Sequence, residues 1–247
     1  MVFNNLTKVF LAPIYYLIHH NYLFGYLHKL IVRKFYFKGL KFDLNIEDIP
    51  VQNYSSFLFK TYEYNDRKLI EKHISQKNKT IILGGGIGFV PALTFINSGN
   101  KILVFEINKK IIPNLEKNLT QNNVDFEIFN NNLVFEKTEN KTFFLSNDFL
   151  STSSRIKTDS KIIVDNLESS KIKDFEKFNT LVIDIEGDEE YYISNIDRFK
   201  NIKYLFFELH HNILKQDKIE HMMSALKVSK FFLKDKCFNS YYTERKI

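Results

Sequence analysis

The stretch Thr80 to Ala92, TIILGGGIGFVPA, decides the fold. It begins with the apolar run Ile81 to Leu83, whose length suits a buried parallel strand. Half of the protein's eight glycines follow at once: Gly84, Gly85, Gly86 and Gly88. Glycine lets a backbone approach a ligand closely, and a helix start offers unpaired N–H groups. The stretch therefore predicts a strand, a turn and a helix that together bind a nucleotide.

A second predicted strand ends in a carboxylate. Lys101 to Glu106 reads KILVFE, an apolar run that Glu106 closes. An acid about 20 residues beyond a glycine turn commonly accepts hydrogen bonds from ribose hydroxyls. Because NAD and S-adenosylmethionine both carry a ribose, this acid does not distinguish between them.

The glycine spacing favours one of these two ligands. The dinucleotide fingerprint G-x-G-x-x-G needs a glycine at Phe89 if it starts at Gly84, or a glycine or alanine at Pro91 if it starts at Gly86. The spacing actually present, glycine at every second position, resembles the first motif of Rossmann-like methyltransferases. That motif usually carries an acid two residues before its first glycine, where this chain has Ile82.

The composition limits the classes of partner. The 247 residues suffice for one sizeable domain and an appendage, and the formal net charge is +6 from 35 Lys+Arg and 29 Asp+Glu. The basic residues are mostly lysine and form no arginine-rich block, so we expect no nucleic-acid partner. The single Cys237 suits a reducing compartment, and we expect a cytoplasmic protein.

The N-terminal 75 residues differ from the rest and form a predicted appendage to a domain spanning residues 76–247. The apolar stretch Val9 to Ile18 is too short to span a bilayer, and no cleavage site indicates a secretory signal. From Tyr22 the apolar residues recur with helical spacing, which predicts an amphipathic helix buried on the domain or in a homodimer. Contact with a membrane surface is the alternative.

Further elements follow from hydrophobic periodicity. Lys34 to Leu44 alternates around Gly39, as a β-hairpin does, and Tyr54 to Ile74 predicts a helix with a lead-in. Beyond Glu106 the pattern predicts these elements: a helix from Asn108 to about Asn122, a strand Phe126–Phe129, a hairpin-like pair of Leu133–Phe135 with Thr142–Leu145, a loop Ser146–Asp159, a strand Lys161–Val164 and a helix Leu167–Phe178.

Polar side chains follow two later predicted strands, at the point where each strand ends. The strand within Thr180 to Tyr192, TLVIDIEGDEEYY, ends at Asp184 and is followed by Glu186. The strand Lys203 to Phe207 is followed by Glu208 and His210. Open α/β sheets bind ligands at the carboxyl ends of their strands, so these four side chains are expected to converge there.

Taken together, these residues resemble the FkbM-type family of S-adenosylmethionine-dependent methyltransferases. The resemblance covers roughly Phe59 to His211. Its most specific part is the D-x-E-G-x-E element at Asp184, Glu186, Gly187 and Glu189. The other matching positions are Tyr62-Glu63, the glycine turn, Phe105-Glu106, Asn118, Asn122 and Glu208-Leu209-His210.

The resemblance implies a fold and an activity. The fold is the Rossmann-like class I methyltransferase fold, a mostly parallel seven-stranded sheet flanked by helices, here with an N-terminal helix and hairpin appendage. The implied activity is methyl transfer from S-adenosylmethionine to a hydroxyl group, typically of a saccharide, with S-adenosylhomocysteine as product. Two other classes stay open, namely a non-catalytic nucleotide-binding or scaffold protein and a nicotinamide-dependent oxidoreductase.

The expected site has three parts. Asp184, Glu186 and His210 are the candidate catalytic residues, with His210 as general base and Glu208 orienting its imidazole. Glu63, Glu186 and Glu208 are expected to bind the acceptor. The expected cofactor-binding residues are Gly84, Gly85, Gly86, Gly88, Phe89, Glu106, Ile107, Asn130 and Asn131. A metal-free site is favoured, although Asp184, Glu208 and His210 would suit a divalent cation.

Overall fold

The computed structural model describes residues 22–31, 33–44, 49, 51–145, 152–153 and 159–246. The helices are α1 (Tyr22–Ile31), α2 (Val51–Leu58), α3 (Tyr64–His73), α4 (Phe89–Ser98), α5 (Ile112–Gln121), α6 (Glu189–Ser194) and α7 (Gln216–Val228). The strands are β1 (Lys34–Phe37), β2 (Leu40–Asp43), β3 (Thr80–Leu83), β4 (Ile102–Phe105), β5 (Phe126–Phe129), β6 (Asn132–Val134), β7 (Lys141–Leu145), β8 (Thr152–Ser153), β9 (Lys161–Val164), β10 (Asn166–Glu168), β11 (Thr180–Ile183), β12 (Tyr204–Glu208), β13 (Phe231–Cys237) and β14 (Ser240–Arg245). Within these ranges, no helix is both long and apolar enough to cross a membrane.

A seven-stranded sheet organises the molecule. Its strands lie in the order β13-β14-β12-β11-β3-β4-β5. The five strands from β12 to β5 are parallel, whereas β14 runs antiparallel to both β12 and β13. The sequence-predicted mostly parallel sheet flanked by helices is confirmed. The order of connections reverses between β3 and β11, and such a reversal opens a crevice at the carboxyl ends of the strands.

The central strands are apolar on both faces because helices cover both faces of the sheet. Every residue of β3, β4 and β11 is buried. Ile82, Val104 and Val182 belong to one buried cluster, whereas Ile81 and Leu103 belong to another. This explains why the strands appear in the sequence as uninterrupted apolar runs rather than as alternating patterns.

The predicted hairpin Lys34 to Leu44 is confirmed as β1 and β2, which pair antiparallel around a turn with positive φ at Lys38 and Gly39. Positive φ at both central residues is the geometry that suits a two-residue hairpin turn. The inward rings of the hairpin pack around Phe89 at the start of α4. One buried cluster thus contains residues from both sides of position 75, and the division into two domains there stays a prediction.

The predicted helix from Tyr22 is confirmed as α1. Its residues Tyr26, Leu27 and Leu30 are exposed, with Leu30 at 79%. Their expected burial on the domain, in a homodimer or at a membrane surface stays a prediction. The stretch Val9 to Ile18 and most of the predicted loop Ser146 to Asp159 lie outside the described residues.

The expected hairpin-like pairing of Leu133–Phe135 with Thr142–Leu145 is wrong. β6 instead pairs in parallel with β10, and β7 pairs antiparallel with β9. The stretch 136–140 between β6 and β7 is fully exposed and polar and forms no tight turn. Asn132 also donates from its side chain to Asn166 Oδ1 at 2.8 Å, which supports the pairing with β10.

The prediction of a helix from Leu167 to Phe178 is also wrong. Leu167 and Glu168 belong to β10, and only two short 3₁₀ turns follow. The chain adopts left-handed backbone geometry at Asp174, with φ 60°, which interrupts any helix there. Helical spacing of apolar residues over one turn is therefore a weak signal when a strand partner competes for the same residues.

Candidate active site

Two glycines of the turn after β3 are needed for different physical reasons. Gly84 has φ 93°, and a Cβ there would lie 2.0 Å from the carbonyl oxygen of Asp184, so the end of β11 leaves no room for a side chain. Gly86 has φ 50°, and a Cβ there would meet nothing closer than the Tyr62 hydroxyl at 3.9 Å. The turn is thus closely packed at Gly84 and faces open space at Gly86, where a ligand can approach the backbone.

Glu106 is the polar centre of the turn. Glu106 is only 7% exposed to solvent. One carboxylate oxygen accepts the backbone N–H groups of Gly85 and Gly86, both at 3.1 Å, and the other accepts the N–H of Asn108 at 2.8 Å. Burial raises the pKa of this carboxyl, while the backbone donors oppose the rise. Glu106 therefore holds the glycine turn in place as well as facing the cavities beside it.

An apolar cavity of about 550 Å³ lies on one side of Glu106. Phe143, from the strand β7, forms part of its wall and is itself buried. Lys141 of the same strand pairs with Asp188 Oδ1 at 2.6 Å and fixes β7 against the sheet edge. The other residues around the cavity are Leu83, Gly84, Phe105, Glu106, Ile107, Asn131, Asn132, Leu133, Asp184, Ile185, Glu186, Asp188 and Tyr192.

A more polar cavity of about 750 Å³ lies on the other side of the turn. Its walls are formed by Asn53, Tyr62, Glu63, Gly84, Gly85, Gly86, Ile87, Phe89, Val90, Glu106, Asp184 and Glu186. The two cavities share Gly84, Glu106, Asp184 and Glu186. They therefore form one cleft across the carboxyl end of the sheet, apolar at one end and polar at the other.

The remaining candidate cofactor residues have distinct positions. Ile107 and Asn131 line the apolar cavity, and Phe89 lines the polar one although its ring lies mainly in the aromatic cluster under the hairpin. Asn130 lines neither cavity, because its side chain donates to the carbonyl oxygen of Glu106 at 2.8 Å. Gly88 lies at the start of α4 against Leu115.

Four carboxylates converge beside the cleft. Oxygen atoms of Glu63, Asp66, Asp184 and Glu208 lie within 4.8 Å of one another. Glu63 immediately precedes α3 and Asp66 lies in its first turn. Asp184 directly follows β11, and Glu208 is the last residue of β12. We call these four residues the acid cluster. Four oxygen donors at this spacing are also a ligand set that hard divalent cations accept.

Burial and mutual repulsion raise the pKa of every member of the acid cluster. Burial, followed by repulsion from Glu208, raises the pKa of Asp184 to about 7. Burial followed by repulsion from Asp66 does the same for Glu208, whose pKa is also about 7. The pKa of Asp66 rises to about 7 and that of Glu63 rises well above its ordinary value, in both cases chiefly through burial. Near neutral pH the cluster is therefore partly protonated.

His210 is held by acids on both sides of its ring. Its Nδ1 hydrogen-bonds to the fully buried Glu189, and its Nε2 lies 3.7 Å from both Asp184 Oδ1 and Glu186 Oε2. Burial lowers the pKa of the imidazole, but the hydrogen bond and charge of Glu189 and the two further acids outweigh it and raise the pKa to about 10. These interactions favour the protonated, cationic form of the ring near neutral pH.

This geometry changes two roles expected from the sequence. An imidazole that already carries its proton cannot accept another, so the arrangement does not support His210 as the general base. Glu189, rather than Glu208, orients the ring. The expected convergence of Asp184, Glu186, Glu208 and His210 at the strand ends is nevertheless what the structure contains.

Sequence reasoning missed Asp66 and Phe143. Asp66 follows Glu63 by three residues at a helix start, a spacing that places two side chains on one face, so the pair was detectable. The position of Phe143 depends on how the short strands β6 to β10 pair, and no local pattern specified that pairing.

Comparison of the sequence with protein families and with curated proteins finds no match. Among solved structures, M. jannaschii TYW2 in complex with AdoMet is similar over 86% of this chain and 86% of its own, with a TM-score of 0.47 and 12% identity. The ribosomal protein L11 methylase from Lactobacillus delbrueckii subsp. bulgaricus is similar over 74% and 77%, with a TM-score of 0.48 and 14% identity. The precorrin-6y C5,15-methyltransferase from Geobacter metallireducens GS-15 is similar over 73% and 87%, with a TM-score of 0.45 and 11% identity.

At these identities the similarity concerns the fold alone, and the strand order is the stronger observation. Five neighbouring strands are parallel, and the last strand of the chain, β14, lies antiparallel between β12 and the edge strand β13. The chain has a Rossmann-like class I methyltransferase fold. In such a sheet the crevice at the carboxyl ends of β3 and β11 is the expected ligand site, and the two cavities lie there.

Proposed function

We propose that the protein is an S-adenosylmethionine-dependent O-methyltransferase whose acceptor is a hydroxyl group, most simply of a saccharide. The observation that carries the proposal is the cleft at the glycine turn, which places a two-ended cavity beside carboxylates whose pKa lies near neutrality. The resemblance to FkbM-type methyltransferases in the D-x-E-G-x-E element supports the hydroxyl acceptor.

The residues that line the cleft suit the chemistry of the cofactor. The apolar cavity suits a flat purine, with Ile107 and Asn131 in its walls, and the polar cavity suits an amino-acid group. Glu106 lies between them, where a ribose would lie, and Gly86 leaves the backbone accessible. Bound there, the cofactor supplies an electrophilic methyl group on a sulfonium.

In the proposed reaction Asp184 accepts the proton of the acceptor hydroxyl. The acceptor oxygen would take the methyl group that the bound cofactor supplies, and the hydroxyl proton would pass to the Asp184 carboxylate. A base with a pKa near the working pH is well matched to this transfer. The His210 cation, 3.7 Å away, stabilises the ionised form of Asp184 before the proton is taken.

Glu63, Glu186 and Glu208 are the proposed acceptor-binding residues. Glu63 and Glu186 line the polar cavity, and Glu208 lies beside Asp184 in the acid cluster. Carboxylates accept hydrogen bonds from hydroxyl groups, so this arrangement favours an acceptor that carries several of them.

A metal-assisted variant of this chemistry follows from the acid cluster. A divalent cation bound by Glu63, Asp66, Asp184 and Glu208 would acidify the acceptor hydroxyl in place of a carboxylate base. His210 fits a ligand role poorly, because a metal-binding imidazole must be neutral. Turnover that survives EDTA supports the metal-free mechanism, and turnover restored only by Mg²⁺ or Mn²⁺ supports the metal.

Calorimetry with S-adenosylmethionine, S-adenosylhomocysteine and NAD tests the proposal. We expect both adenosyl ligands to bind with 1:1 stoichiometry and NAD not to bind. Binding of NAD alone would favour the nicotinamide-dependent oxidoreductase, and binding of none of the three would favour a scaffold protein. The same proposal includes a small-molecule or glycan acceptor, no nucleic-acid partner, a homodimer and a cytoplasmic location.

A further inference from the structure

An open groove reaches the acid cluster from the side opposite the glycine turn. About 1490 Å³ of open space lies between the start of α3 and the turn that joins β13 to β14. Glu63, Asp66 and Glu208 form its floor, and Tyr64, Phe238 and Asn239 stand in its walls. Glu63 lines both this groove and the polar cavity. A molecule in the groove would therefore meet the cleft at Glu63.

Phe238 is an unusual residue for its place in the turn. It occupies the first central position between β13 and β14, with φ 50°, and the residue is 73% exposed. Glycine, asparagine or aspartate usually occupies a turn position with positive φ, because a bulky side chain is strained there. A single exposed phenylalanine needs no explanation by itself. An exposed ring at a position that disfavours it, in the wall of a groove, does need one.

The backbone holds Phe238 at a fixed distance from the acid cluster. The carbonyl oxygen of Asn239 accepts the N–H of Leu209 at 2.9 Å, and Ser240 pairs with Glu208 across β14 and β12. The turn is therefore fastened to the segment that carries Glu208. Tyr64 also lines the groove. It directly follows Glu63 in the chain and is 38% exposed.

The groove thus combines aromatic rings with many hydrogen-bond acceptors. A neutral sugar ring has the matching surface, because its C–H face can stack on an aromatic ring while its hydroxyl edge donates to carboxylates and amides. The described residues that line the groove include no basic side chain to bind a phosphate or another polyanion, and its acids Glu63, Asp66 and Glu208 disfavour such a ligand. We infer that Phe238 is a specificity-determining residue of the acceptor site, on whose ring the apolar face of a neutral sugar stacks. The inference rests on the proposed function and adds a position for the acceptor.

Saturation-transfer NMR on the full-length protein with S-adenosylhomocysteine tests this inference. The probes are methyl α-D-glucopyranoside, methyl α-D-mannopyranoside and methyl β-D-galactopyranoside. We expect transfer to the C–H protons of at least one glycoside, retention of the signal in Phe238→Trp, and at least a fivefold loss in Phe238→Ala. Phe232→Ala is the matched control, since Phe232 is a partly exposed ring at the other end of the same strand pair.

Phe238→Asn separates binding from folding. Asparagine tolerates positive φ, so this variant should unfold at the same temperature as the wild type or higher while it loses the sugar signal. No transfer from any glycoside, or equal transfer in Phe238→Ala and wild type, would overturn the inference. Calorimetry of S-adenosylhomocysteine on the same samples identifies which idea has failed. If the ligand binds, only the sugar inference fails; if it does not bind, the proposed function fails.

Discussion

At the scale of single residues, the protonation of His210 decides which side chain can act as the general base. The strand-end rule predicts from sequence that Asp184, Glu208 and His210 meet. It does not predict which of them holds a proton, because that depends on Glu189, whose carboxylate reaches the ring only in the folded chain. A histidine next to acids in a sequence is thus a good indication of a site and a poor indication of a base.

The first prediction concerns the charge of His210. NMR titration of its ring should show an imidazolium that persists through pH 8. Glu189→Gln removes the strongest interaction that raises the pKa, so the His210 pKa should fall by more than about one unit. Glu190→Gln is the control, since Glu190 pairs with Lys218 instead. A ring that is already neutral at pH 7.5 in the wild type would restore His210 as a candidate base.

The second prediction concerns Asp184. Asp184→Asn should keep S-adenosylmethionine affinity within a few-fold while methyl transfer to a hydroxylated acceptor falls by about 10²–10⁴-fold, the usual contribution of a general base. In the wild type the rate should rise with pH up to about 7, as Asp184 loses its proton. His210→Gln removes a nearby positive charge and should shift that rise to higher pH. Full activity in Asp184→Asn would contradict the assignment.

The third prediction concerns Glu106. Glu106→Ala should weaken S-adenosylmethionine binding by roughly 1.5–3 kcal/mol, the scale of hydrogen bonds to a charged group. Because Glu106 also holds the glycine turn, urea unfolding of the variant must be measured beside calorimetry. Glu127→Ala is the control, since Glu127 is exposed and pairs with Lys101 outside the cleft. An unchanged dissociation constant would remove Glu106 from the cofactor site.

At the scale of elements, α5 connects the glycine turn to the hairpin. The fully buried Asn118 accepts the N–H of Asp43 at 2.7 Å and donates to the carbonyl oxygen of Ile87 at 2.8 Å. Asn122 makes two further bonds to the backbone of Lys41. The sequence marks both asparagines through the FkbM resemblance. Their partners in the hairpin lie 75 and 81 residues away in the chain, so only the fold explains why amides are needed there.

The fourth prediction concerns that connection. Asn118→Ala leaves the part-buried N–H of Asp43 and the buried carbonyl oxygen of Ile87 short of a partner. A buried group that loses its partner costs about 1–3 kcal/mol. We expect urea unfolding to show a loss of at least about 2 kcal/mol, together with weaker S-adenosylmethionine binding. Asn97→Ala is the control, because Asn97 donates within its own helix, to the carbonyl oxygen of Leu93. Equal stability of the two variants would contradict the role.

The small strands show where prediction from sequence stops. The central strands were predictable because each is a buried apolar run between turn signals, as at Ile81 to Leu83. The strands β6 to β10 were partly recognised, but their pairing was not. Short half-exposed strands such as β10 have no burial pattern that specifies a partner. The wall of the apolar cavity depends on that pairing, so the position of Phe143 could not be predicted from the sequence.

At the scale of the whole molecule, charge is distributed unevenly. The chain carries a net +6, yet the acid cluster, Glu186 and Glu189 concentrate carboxylates around one histidine. Net charge read from composition therefore describes the outer surface and gives the wrong sign for the proposed acceptor site. This separation also makes the stability of the fold depend on pH.

The fifth prediction is that the protein becomes less stable as pH rises from about 5 to 8 in EDTA. Asp66, Asp184 and Glu208 have folded pKa values of about 7, above the ordinary values they take in the unfolded chain. Between these values the unfolded chain has released protons that the folded chain keeps, so the free energy of unfolding falls with pH. The raised pKa of His210 acts in the same direction, since its stabilisation is complete below about 6.5 and is lost as pH approaches 10. Asp235 has a lowered pKa, so its interactions stabilise the fold at pH values above its ordinary pKa. That stabilisation is lost only in stronger acid.

Thermal unfolding at intervals of half a pH unit tests this prediction. Asp66→Asn removes one of the shifted groups, so its melting temperature should fall less steeply with pH than that of the wild type. The exposed Asp159, replaced by Asn, is the control and should leave the slope unchanged. EDTA is needed because a divalent cation in the acid cluster would favour the ionised carboxylates and reverse the trend. A melting temperature that rises from pH 5 to 8 in EDTA would mean that the carboxylates are not held close together in the folded protein.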